Sequence, residues 1–225
     1  MGTKERQERE REAVRRKILD AATELFVAEG YHNVSIRKIA DRIEYSPAAL
    51  YSYFPGKDDI FFALAEEGFR ALAAAVGSPR DSGDPLDSLR DGFWQYYLFS
   101  RRHPEYFHLM FVDRTVPRIS EHWERFGFVQ EMLRRAADGF RQCIEAKLFP
   151  SSLDPDAAFH VLWAAVHGPA VIQLCNRLSP DEDPDALARD TLEAAIAGLR
   201  AGSAVTFRPS DVTCMVPSEG TERRS

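Results

Sequence analysis

Residues 35–57, SIRKIADRIEYSPAALYSYFPGK, constrain this chain more than any other stretch. Ser35 is placed to cap free backbone donors, and Ile36, Ile39, Ala40 and Ile43 follow at helical spacing, so a short helix turns one apolar stripe inward. Ser46 and Pro47 announce a second helix: a cap residue, then proline at the first helical position, where a missing N–H costs nothing. Leu50 and Phe54 point back at the first helix. A rotation of ~100° per residue turns Ala48, Tyr51 and Ser52 outward, with Tyr53 on the flank. Only Glu44, Tyr45 and Ser46 separate the two, about the length of a helix-turn-helix connection. Helices this short need a third, which residues 13–30 supply: Val14, Ile18, Ala22, Leu25 and Phe26 face inward and Gly30 stops the helix.

The outward residues suit a nucleic acid. Helix N-termini offer free N–H groups to anions, so Ser35, Ser46 and Lys57, each at a helix start, fit phosphates. Tyr51 and Tyr53 can lay rings on sugar and offer hydroxyls to phosphate. Ala48 and Ser52 lie where base edges would pass, and Arg37 reaches a guanine or a phosphate. The second helix carries no Arg, Asn or Gln, so it holds no bidentate base contact from which an operator sequence could be read.

The stretch GYHNVSIRKIADRIEYSPAALYSYFPGKDDIFFAL, with its L-Y-x-[HY]-F-x-x-K ending, resembles the DNA-binding domain of the TetR family, bacterial-type transcriptional repressors; the resemblance covers roughly residues 10–64. It implies DNA contact at Ser35, Arg37, Ala48, Tyr51, Tyr53 and Lys57. Many members have glycine at the inter-helix turn. Here Glu44 stands there, and a left-handed non-glycine costs ~1–2 kcal/mol.

A net charge of −6 does not forbid DNA, because residues 1–58 carry +1 and residues 59–225 carry −7. So weak a field leaves binding to a few placed contacts and to two copies of the domain, with affinity falling steeply in salt. No apolar run reaches the ~18–20 residues of a membrane span and the N-terminus is charged, so a cytoplasmic protein is expected, with no membrane partner. Cys143, Cys175 and Cys214 are far apart and odd in number, which argues against a disulfide framework and a zinc site. The six histidines show neither H-E-x-x-H nor a Cys/His ligand spacing, so no metal, no cofactor and no catalytic residues are expected: not an enzyme.

The expected organisation is all-α: a flexible arm over residues 1–12, a helix-turn-helix domain over 13–58, a helical effector-binding and dimerisation domain over 59–201, and a disordered tail over 202–225. A rod from Lys57 to Val76 leaves the reading head, and residues 77–84 read as a hinge or mobile loop. Five helices follow. One covers residues 85–102, one starts at Pro104, and a long segment from Pro117 to Phe149 breaks near Gly127. The last two, about 156–178 and 184–200, are rich in alanine and apolar residues; that composition fits an internal core equally well, and the family resemblance favours pairing with their copies in a homodimer.

Pro169 should kink its helix by removing the bond to Ala165. Trp163 and His167 would then line a ligand cavity with Phe93, Trp94, Tyr97, Phe107 and Phe111, although a satisfied core histidine and plain core packing explain them as well. The W-x-x-x-H-G stretch, Trp163 to Gly168, is similar to the C-terminal domain of the TetR subgroup named for Trp, His and Gly. The function these readings imply is a repressor that binds a palindromic operator as a homodimer and is released by a small lipophilic ligand of unknown identity. The alternative is a helical protein-interaction adaptor with a degenerate helix-turn-helix.

Overall fold

The computed structural model describes residues 2–77, 83–119, 122–203 and 205–207. Every regular element among them is helical: α1 (Thr3–Glu29), a 3-10 turn (Tyr31–Asn33), α2 (Ile36–Arg42), α3 (Pro47–Tyr51), α4 (Lys57–Val76), α5 (Pro85–Arg102), α6 (Pro104–Phe107), a π turn (His108–Val112), α7 (Trp123–Glu145), α8 (Pro155–Leu174) and α9 (Pro184–Arg200). They form two compact units. The first comprises residues 1–70 and 103–118, the second 71–102 and 119–225. The boundary inferred from sequence at 58/59 therefore moves, because most of α4 and the segment after Pro104 pack with the N-terminal helices.

In the first unit Ile18, Leu19, Ala22 and Phe26 of α1, Ile39 and Ala40 of α2, and Leu50 and Phe54 around α3 are buried together with Ile60, Phe61 and Leu64 of α4. Both predicted caps form: Ser35 Oγ accepts from the Lys38 N–H and Ser46 Oγ from the Ala49 N–H, each at 3.2 Å. α1 starts ten residues earlier than expected, at Thr3, so the flexible arm is instead helix. Its residues are strong helix formers of alternating charge, and pairs such as Arg6–Glu10 at 3.2 Å support it.

The turn between α2 and α3 is a C-terminal helix cap in which the N–H of Glu44 reaches the carbonyl of Asp41, and that of Tyr45 the carbonyl of Ala40. It requires a left-handed residue, and Glu44 adopts φ +60°. Left-handed backbone costs a non-glycine ~1–2 kcal/mol, partly offset by glycine's greater freedom when unfolded. Glu44→Gly is expected to stabilise the first unit by about 1 kcal/mol, raising its melting temperature by about 4–8 °C in a thermal scan; a lower melting temperature would refute the strain.

Gly68 serves a different need. A Cβ there would lie 2.5 Å from Met110 Sδ and 3.2 Å from the Tyr106 ring, so its absence lets the segment after Pro104 lie close on α4. Tyr106 donates to Glu67 at 2.9 Å, the carboxylate that Arg16 of α1 also reaches at 2.7 Å.

The second unit packs α5, α7, α8 and α9 around Phe93, Tyr97, Phe99, Phe126, Phe140, Leu162, Val166 and Ile196. The expected break near Gly127 falls at Phe126, whose φ −107° and ψ 20° are not helical. α8 stops at Leu174, short of Leu178, because Asn176 turns left-handed at φ +51° and closes the helix through its N–H to Gln173. α8 is also long and apolar enough, by length and composition, to cross a membrane. That corrects the expectation that no stretch is; Ala157, Ala158, Leu162, Val166, Pro169 and Ala170 are nevertheless buried within the unit.

α8 runs continuously through Pro169. The carbonyl of Ala165, which would accept from residue 169 in an ordinary helix, instead lies 2.9 Å from Thr191 Oγ1 of α9, whose one proton it shares with the Leu187 carbonyl, also at 2.9 Å. A buried carbonyl left without a donor costs ~1–3 kcal/mol. Thr191→Val keeps the shape and removes the donor, so a loss of about that size in chemical denaturation is expected; an unchanged midpoint would show that the bond contributes nothing.

Residues 78–82, the centre of the expected hinge, and residues 204 and 208–225 of the expected tail lie outside the described residues. Gly202, at φ +76°, reverses the chain after α9, and the ring of Phe207 meets His160 of α8 at 5.3 Å.

Candidate nucleic-acid interface

α3 is held from behind and open in front. Leu50 is fully buried and Phe54 nearly so, while Ala48, Tyr51 and Ser52 are exposed, Tyr51 to 55%. The sequence dictates this directly, since one turn separates Leu50 from Phe54 and the intervening residues must face away. Ser35, Arg37 and Ser46 are exposed too, the side chain of Arg37 to 83% with Asp41 3.9 Å away. Ser52 donates its hydroxyl to the Ala49 carbonyl at 2.6 Å, which leaves its oxygen lone pairs toward solvent.

Two of the eight predicted residues, Tyr53 and Lys57, are only half-exposed. Tyr53 is half-buried, with the Arg11 guanidinium 5.6 Å from its ring centre. Lys57 lies over the ring of Tyr31 at 4.0 Å and donates to that residue's carbonyl at 2.9 Å. Tyr31 was not singled out by the sequence. Its phenol donates to Asp58, its N–H to Asp113 at 3.3 Å, and burial followed by the Asp58 carboxylate pushes the phenol far above its ordinary pKa. Tyr31 thus fixes the start of α4, where Lys57 stands. Nearby cations are paired with acids, Lys38 with Glu29 and Arg42 with Glu24, which keeps the surface field weak.

The aromatic residues predicted to line a ligand site fall in separate places. Phe107 and Phe111 belong to the first unit, 5.0 Å apart, with Phe69 of α4 5.8 Å from Phe111. In the second unit Phe93 packs on Phe140 and Phe159. Trp94 stacks on Tyr97 at 5.0 Å, and the buried Tyr97 donates to Asp185 at 2.7 Å; burial pushes its phenol up to about 12. Trp163 and His167 meet directly, their rings 5.3 Å apart, and both also meet Tyr96, which sequence reasoning missed because nothing local marks it. The Tyr96 phenol, raised by burial, accepts from the Trp163 indole and shares a hydrogen bond with His167 Nδ1 at 2.8 Å. Burial lowers the His167 pKa, which favours the neutral ring. This polar chain inside an apolar shell suits an anchor for a ligand. A cavity of about 330 Å³ opens elsewhere, between residues 150–154 and the end of α9, and contains none of the predicted residues.

Two family models match the chain. Residues 18–64 match the model of bacterial regulatory proteins of the tetR family, and residues 89–195 match the tetracyclin repressor-like C-terminal domain. Among curated proteins, the transcriptional regulator HbdR of an Aromatoleum species is 43% identical over 85 residues, 36% of either chain. The transcriptional repressor NicS of Pseudomonas putida is 31% identical over 93 residues, 40% of this chain and 42% of its own. The chain thus spans well under two thirds of the length of these relatives. Among solved structures, the regulator PfmR of Thermus thermophilus superposes with a TM-score of 0.65 at 20% identity, covering 81% of this chain and 98% of its own. The fatty acid degradation regulator FadR of Bacillus halodurans gives 0.67 at 18% identity, covering 83% and 96%. At these identities the likeness is one of fold.

Proposed function

The chain belongs to the TetR family of transcriptional regulators, and from that premise we propose that it is a repressor acting as a homodimer on a palindromic operator, released by a small lipophilic ligand. The observation that carries the reading is α3, anchored by Leu50 and Phe54 with Ala48, Tyr51 and Ser52 facing outward. Ser35, Arg37, Ser46 and the hydroxyl of Tyr53 supply phosphate contacts around it, and Lys57 joins them by leaving the Tyr31 carbonyl or acts by fixing the start of α4.

Two heads are needed, because five residues of helix and a net charge of +1 hold one head weakly. The outer face of α8 supports the pairing: Val161, Ala164, Gly168, Ile172 and Cys175 lie along one stripe at helical spacing, half-exposed or exposed, and Ile172 is 38% open. Small residues there and at Ala194 and Ala197 of α9 let a second copy approach closely. Trp163 and His167, wired to Tyr96, are the anchors proposed for the ligand, with Phe93, Trp94 and Tyr97 as the apolar surround and Phe107 and Phe111 as the aromatic pair set against α4. Ligand binding would act on α4 and alter the spacing of the two heads on successive major grooves. Such a protein works where the chromosome is, in the cytoplasm.

The test is selection of bound fragments from random DNA by the purified protein, followed by titration of the recovered site. A palindrome with half-sites about one helical turn apart is expected. Tyr51→Ala should weaken binding about tenfold per head on specific and non-specific DNA alike, as loss of a backbone contact does. Unchanged affinity would remove Tyr51 from the interface, and failure to enrich any sequence by an intact dimer would favour a protein-interaction adaptor.

A further inference from the structure

The first turns of α1 hold cations that the reading head described so far does not use. From Phe26 back through Ala22, Ile18 and Val14, one stripe of α1 packs into the first unit. Continued toward the N-terminus at the same three-to-four-residue spacing, that stripe reads Arg11, Gln7 and Lys4. Where it passes beyond the core, apolar residues give way to a cationic ridge on the same side of the helix.

That side is the side of α3. Arg11 donates to the carbonyl of Ser52 at 3.2 Å and stands over the ring of Tyr53, so the extension lies along the end of the helix whose exposed residues meet DNA in the proposed reading. Charge pairing separates the cations further. Arg6, Arg15 and Arg16 each have a carboxylate partner, whereas Lys4, Arg9 and Arg11 have none among the described residues, so it is the side of the helix that tells Arg9 from the other two. Glu8 borders the ridge, and Arg9 projects from the opposite side of the helix. Lys4 stands seven residues beyond Arg11, about 10 Å along the axis at ~1.5 Å per residue, which is about three base pairs of duplex.

The geometry points to the N-terminal extension of α1 as a second DNA-contact element, with Lys4 and Arg11 set against backbone phosphates of the base pairs flanking those covered by α3. The inference rests on the DNA-binding reading and lengthens the same site. It adds affinity without sequence information, because phosphates are the same at every step. Each contact contributes about 0.9 to the slope of log affinity against log salt, and about fivefold in affinity at 0.15 M salt.

The full-length protein, the recovered operator with ten or more flanking base pairs, and fluorescence anisotropy across a potassium chloride series test it. Lys4→Gln keeps helix propensity and removes the charge. With one Lys4 per head and two heads, it should weaken binding about 25-fold at 0.15 M salt and lower the slope by about 1.8. Arg9→Gln should leave both unchanged, and trimming the flanking base pairs should bring wild type and Lys4→Gln together. A Lys4→Gln curve superimposable on that of wild type, or an Arg9→Gln loss of equal size, overturns the inference while DNA binding by the wild type stands. Absence of any specific site for the wild type overturns the underlying reading instead.

Discussion

Leu50→Ala is expected to abolish specific DNA binding while leaving the second unit folded. Leu50 is fully buried, and with the nearly buried Phe54 it anchors the five-residue α3 from behind. Truncating a buried leucine costs about 3–5 kcal/mol, the transfer term plus the cavity it leaves. An isolated helix of one and a half turns has no stability of its own, so α3 depends on that packing for its existence. Circular dichroism should lose only a small part of its helical signal and size-exclusion should be unchanged, because α5, α7, α8 and α9 belong to the second unit. Retention of operator affinity within threefold would mean that Leu50 does not hold the reading surface.

Tyr31 carries the second large effect, and two substitutions divide it. The residue is 3% exposed, with Phe26 and Phe61 at 5.1 and 5.7 Å ring to ring. Tyr31→Phe keeps that packing and removes only the phenol given to Asp58, which is solvent-exposed, so about 1 kcal/mol is expected. Tyr31→Ala empties the site. A loss of about 3–5 kcal/mol should follow, and the ring beneath the Lys57 ammonium disappears with it. Melting of the first unit and operator affinity should therefore fall sharply for alanine and little for phenylalanine. Equal effects of the two variants would place the energy in the hydroxyl rather than in the ring, against this account.

How much was legible in advance depended on how local the signal was. The bounds of α4 and α5, Lys57–Val76 and Pro85–Arg102, coincide with the predicted ones because proline, capping residues and charge at helix ends act within a few positions. The inward and outward residues of α3 were likewise set by rotation along one helix. The segment before residue 13 departs from the expected flexible arm: it has no apolar run, yet helix propensity and ion pairs make it helical. The Glu44 turn was readable as a strained position, and the structure realises it as φ +60°.

The amino-acid sequence by itself determined the helices, their caps, the two-sided character of α3 and the family, because each of these follows from neighbours within about a dozen residues. Only the tertiary structure decided that residues 103–118 pack with the N-terminal helices, that Thr191 answers the carbonyl freed by Pro169, that Tyr96 joins Trp163 to His167, and that Arg11 reaches Ser52. Those contacts join residues tens of positions apart. No spacing rule encodes which distant side chain satisfies a buried polar group, since any donor of suitable length will serve and the packing of whole helices selects one.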